Sequence, residues 1–112
     1  MEGTVESEGI NNPKEKVEIK VESYLKEIVP GYLEKRAENV LRLRGALEAG
    51  DFEVVQHLGH DMKGTGTGYG FQLITELGAG IEAAGKAKDR EEGFLLVKEL
   101  EGYLSNLELR YE

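Results

Sequence analysis

From Pro30 almost to the C-terminus, apolar residues recur three and four positions apart, and no proline interrupts them. Proline removes an amide donor and clashes with the preceding helical turn, so its absence leaves long helices free to form. The spacing then gathers the apolar side chains onto one face of each helix. Pro30 itself suits a first helical turn, where no amide donor is needed. Leu33, Ala37, Val40 and Leu47 form the stripe of a long first helix. "EAGD" at 48–51 closes it with Gly50 and places Asp51 to cap the next.

The next segment runs from position 52 to about 67, followed by a break at 68–70. Phe71, Ile74, Leu77, Gly78 and Ile81 make a further stripe. After "KAKDREE", Asp89 with Glu92 three positions on reads as a capping box. Phe94, Val97, Leu100, Leu104 and Leu107 carry the last helix. Four amphipathic helices with short connections predict an all-α, antiparallel up-and-down four-helix bundle. The N-terminal part differs. Residues 1–15 read as a flexible acidic tail, and Val17, Ile19 and Val21 alternate with charged residues, which predicts an extended segment over 16–21. Residues 22–29 then read as a short additional N-terminal helix packed across one end, so that 16–112 make one domain.

Length and charge narrow the function. A chain of 112 residues holds one hydrophobic core. With no cysteine there is no disulfide, thiolate metal site or cysteine nucleophile. The opening "MEGTVESEGI" lacks the apolar centre of a secretory signal, and no run of ~18 apolar residues exists to span a bilayer. A cytoplasmic protein is expected, and a monomer, since four helices close their own core. The net charge of −8 opposes nucleic acid and anionic membranes as partners.

The chemistry concentrates in "HLGHDMKGTGTGYGF" at 57–71. At ~100° per residue, Val55, Leu58, Gly59, Met62 and Gly66 share one side of the helix. His57, His60, Lys63, Gly64 and Thr67 share the other, which faces solvent. Lys63 and Gly64 flank His60 on the next turn. The lysine supplies a cation within reach of a group on the imidazole. A glycine on an exposed helical face costs roughly 1 kcal/mol, which is explained if something bulky must approach there. "GTGTGYG" is not a nucleotide-binding loop: it lacks G-x-G-x-x-G, a G-K-[ST] ending and a preceding strand. A metal site on His57 and His60 lacks a third strong donor.

The stretch "GDFEVVQHLGHDMKGTGTGYGFQLITELGAGIEAA" resembles the histidine-containing phosphotransfer (HPt) domain of bacterial multistep phosphorelays. That family's motif is a histidine followed by lysine, glycine and a second glycine at three, four and ten positions on. Here those are His60, Lys63, Gly64 and Gly70. "EIVPGYLEKRAENVLRLRGALEAGDF" is similar to the family's preceding helix and G-D turn, so the resemblance covers about residues 22–109. It implies that His60 takes a phosphoryl group on Nε2 from the phospho-aspartate of a receiver domain and passes it to another receiver. Lys63 would balance charge, Gly64 would admit the receiver's loops, and Gly70 would allow the passage into the next helix. The resemblance also places Glu82, twenty-two positions after His60, against the other ring nitrogen. A carboxylate accepting Nδ1–H there would fix the tautomer and leave Nε2 nucleophilic.

His57 lacks Lys and Gly at those offsets and reads as a rim residue. Response-regulator receiver domains and hybrid histidine kinases are the implied partners, with His57, Gly64, Thr67 and Gly70 at the contact. Magnesium would sit on the receiver, so no cofactor is expected on this chain. With no ATP-binding domain, it would be a phosphohistidine carrier and not an autokinase. Two other readings stand: a docking module that carries no phosphate, and a metal-binding helical bundle.

Overall fold

Gly50 has φ 74° and ψ 23°, a left-handed conformation that turns the chain out of one helix, and the Asp51 carboxylate then accepts the Val54 amide at 3.4 Å to start the next. The computed structural model describes residues 16–112; the expected tail at 1–15 lies outside them. Four helices carry the fold: α1 Val29–Ala49, α2 Phe52–Thr65, α3 Gln72–Ala87 and α4 Arg90–Ser105. Two strands, β1 Val17–Val21 and β2 Leu107–Tyr111, flank them.

Each helix packs on two others, α1 on α2, α2 on α3, α3 on α4 and α4 on α1. The core they enclose includes Leu43, Leu47, Val55, Leu58, Met62, Ile74, Leu77, Ile81, Val97 and Leu100. Burial of these side chains supplies the main driving force, at about 1.5–3 kcal/mol for each large one. The most intimate pair is α2 with α3. A Cβ on Gly59 would stand 2.4 Å from the Glu82 amide nitrogen, and one on Gly78 would stand 2.5 Å from that of Lys63. Two backbones thus touch where neither has a side chain.

The buried stripe of α1 is Val29, Tyr32, Arg36, Asn39, Val40, Leu43, Ala46 and Leu47. It departs from the expected phase: Ala37 is exposed and Leu33 only half-buried. Two polar residues on the inner face, Arg36 and Asn39, interrupt the apolar period and shift its apparent register. α2 ends at Thr65, short of the expected position, and a 3-10 turn over Thr67–Tyr69 leads to Gly70 at φ 99°. At the start of α4, the Asp89 carboxylate accepts the Glu92 amide at 3.1 Å. The other half of the expected capping box does not form, because the Asp89 amide is already bound to the Ala84 carbonyl at 2.9 Å.

The ends of the described chain correct the expectation of a purely α-helical fold. The short helix expected over 22–29 is only a 3-10 turn at Ser23–Leu25; so brief a segment does not repay helix nucleation. The last helix stops at Ser105, where the Asn106 side-chain amide donates to the Gly102 carbonyl at 2.8 Å. Leu107 therefore lies in β2. β1 and β2 pair in parallel, from Val17 opposite Leu107 to Val21 opposite Tyr111. Val17, Ile19, Val21, Leu107, Leu109 and Tyr111 pack on the core from one face of this ribbon. Glu18 and Arg110 pair at 3.1 Å on the other. No described helix is long and apolar enough to cross a membrane.

Candidate functional site

The residues singled out around His60 fall at the α2–α3 seam. Val55, Leu58, Gly59 and Met62 turn inward from α2, so His57, His60, Lys63 and Gly64 are left outside. The His60 side chain is 63% exposed, so one edge of its ring is open to a partner. From α3, Ile81 packs into the core and Glu82 follows it at the seam, with its side chain only 10% exposed. The contact of Gly59 with the Glu82 backbone brings the two helices close enough for that short carboxylate to reach across.

Glu82 uses both oxygens. Oε2 lies 3.0 Å from His60 Nδ1, and Oε1 lies 2.7 Å from Lys63 Nζ. The Lys63 ammonium, then the His60 hydrogen bond, hold the Glu82 carboxyl below its ordinary value despite the opposing effect of burial. An ionised carboxylate can only accept, so Nδ1 carries the proton and donates it. The uncharged ring then has its lone pair on Nε2, the nitrogen turned away from Glu82. Among the described residues no hydrogen bond engages Nε2. A fixed tautomer, an exposed nucleophilic nitrogen and an adjacent cation make a site able to carry an electrophilic group.

Lys63 is therefore placed beside His60, but its ammonium rests on Glu82. Its side chain is 43% exposed, so the ammonium lies at the surface beside the ring. His57 is 74% exposed, and its Nε2 lies 3.7 Å from an Asp61 carboxylate oxygen. It shares with His60 and Glu82 an open cleft of about 400 Å3, which Glu53 and Gln56 also line. Those two were missed from sequence, where Glu53 reads only as an acid in a first helical turn.

Gly64 has open space where a Cβ would project, so packing inside the chain does not require it. Gly70 is required by backbone geometry, its φ of 99° being a region that side chains disfavour. Thr67 is tied into the loop: its amide donates to Thr75 Oγ1 at 2.8 Å, and its hydroxyl lies 2.8 Å from Gln72 Oε1. That hydroxyl holds the α2–α3 connection, which positions His60 only indirectly. Among the described residues, no group of three or more His, Asp or Glu side chains is placed to hold a metal ion.

No family model, curated protein or solved structure matches the chain.

Proposed function

We propose that the chain is a histidine phosphotransfer protein, an HPt-type antiparallel four-helix bundle that carries a phosphoryl group on His60 between receiver domains in a phosphorelay. The observation that carries this reading is the pairing of His60 Nδ1 with Glu82 on a ring whose opposite edge faces solvent. In the transfer step the Nε2 lone pair forms a bond to phosphorus of an aspartyl phosphate on the receiver. The bond from phosphorus to the aspartate oxygen breaks, and the electron pair leaves with that carboxylate. His60 keeps its Nδ1 proton, so the phosphorylated ring is cationic, and Glu82 faces the charge.

Transfer of this kind is mostly positioning and charge stabilisation. The partner receiver brings the magnesium ion and its own acidic pocket, and Lys63 moves from Glu82 toward the phosphoryl oxygens. The open flank at Gly64 and the cleft beside His57 admit the receiver's loops. Return of the group to a second aspartate reverses the same bonds. The test is label transfer from phosphorylated receiver domains: the label appears on this chain, is acid-labile and base-stable, and is absent in His60→Gln. A phosphate-free docking module would instead keep receiver binding and take no label.

A further inference from the structure

A second cleft, of about 440 Å3, opens between the start of α1 and the end of α2, away from the His60 cluster. Its lining includes Glu27, Tyr32, Lys35, Arg36, Thr65 and Tyr69. Arg36 is only 7% exposed, yet among the described residues no carboxylate lies within 4.0 Å of it. A buried charge without a counter-charge is strongly unfavourable, so such groups are normally paired.

The partners Arg36 does have are weak. Its guanidinium lies over the Tyr32 ring at 4.7 Å, and Nη1 reaches Thr65 Oγ1 at 3.4 Å. The Thr65 hydroxyl donates its proton to the Asp61 carbonyl at 3.0 Å. It must therefore accept from the Tyr32 hydroxyl at 2.9 Å as well as from Arg36, which fills both lone pairs. Arg36 Nε is buried with no hydrogen-bond partner, as is Asn39 Oδ1 one turn further on. Hydration of either atom would still leave the guanidinium charge unmatched.

We propose that this cleft binds the carboxylate of a small organic molecule, seated on Arg36 and flanked by Lys35. The planar guanidinium matches a carboxylate in a two-point contact. Two cations against the single acid Glu27 leave the lining at +1, which suits a monoanion and not a doubly charged phosphate ester. Beside the cation, Tyr32 and Tyr69 stack at 4.1 Å between centroids and 11° between planes. That pair offers an apolar wall for the rest of the ligand.

Amide NMR titration of the full chain with sodium benzoate, at constant ionic strength, tests the site. Benzoate should saturably shift the amides of Lys35, Arg36, Thr65 and Tyr69, whereas neutral benzamide should not. Arg36→Met should weaken benzoate at least about tenfold, and Lys35→Ala about threefold. His60→Gln should leave it unchanged, which separates this site from phosphotransfer. If Arg36→Met fails to fold, the wild-type shift map with the benzamide comparison decides. Shifts confined to other residues, equal binding of benzamide, or tighter binding of inorganic phosphate than of benzoate would each overturn the assignment.

Discussion

Glu82 Oε2 lies 3.0 Å from His60 Nδ1, joining residues twenty-two positions apart across the α2–α3 seam. The pair links packing to chemistry, because the seam that buries the carboxylate also decides which ring nitrogen is free. Glu82→Ala removes the acceptor and releases Lys63. The tautomer with the proton on Nε2 should then grow in 15N NMR spectra of the imidazole. Phosphoryl acceptance should slow by about tenfold or more, the worth of a hydrogen bond to a charged group. Glu82→Gln, which keeps an acceptor, should recover the tautomer but only part of the rate.

The glycines on α2 separate stability from function. Gly64→Ala adds a methyl group to open space and should stabilise the helix by up to ~1 kcal/mol. If the proposed function holds, it should also slow transfer, since the methyl group would stand in the open flank where a receiver would dock. Gly59→Ala should instead destabilise the fold, and it should slow transfer only by loosening the seam that holds Glu82 against His60. Its Cβ would press on the Glu82 backbone at 2.4 Å and the Gly78 carbonyl at 2.8 Å, costing about 1–3 kcal/mol in forced separation of the helices. Urea titration of both variants, with transfer rates measured alongside, checks the contrast.

Acid should dissolve the contribution of Glu82. Lys63 first and His60 second lower its folded-state pKa, so relative to an ordinary value of 4.5 the folded state binds this proton less readily than the unfolded one. The stability it adds is thus present in full above about pH 4.5 and is lost as pH falls through the lowered folded value. The stability gap between wild type and Glu82→Gln should close as pH falls below that range. A gap that widens as pH falls below about 4.5 would contradict the pairing.

The β-ribbon should matter to the core. Removing 107–112 takes away β2 and leaves Val17, Ile19 and Val21 of β1 without a partner strand. The truncated chain should melt at a lower temperature, while His60 and Glu82, on other elements, should still form their hydrogen bond.

Much of this was legible in the sequence because helices announce themselves locally. Gly50 with Asp51, and the stripe from Phe71 to Ile81, need only neighbouring residues to be read. The alternation of Val17, Ile19 and Val21 made the first strand legible, but the second strand and the pairing were not, since Leu100, Leu104 and Leu107 continue a helical spacing and the partner of Leu107 is Val17 at the far end of the described chain. Arg36 was missed because a charged residue in an amphipathic helix is ordinarily solvated. The grouping of His60 with Lys63 follows from one helical turn. That Lys63 rests on Glu82 does not, for it depends on how closely Gly59 and Gly78 let two backbones approach.

The position of a transferred phosphoryl group decides whether His60 is the acceptor. The uniformly 15N-labelled protein would be incubated with phosphorylated receiver domains and its imidazole nitrogens read by 31P-coupled NMR. The account predicts a single phosphoryl group on Nε2 of His60, with Nδ1 still protonated. Phosphoryl on Nδ1 or on His57, or no incorporation from any receiver, would contradict it.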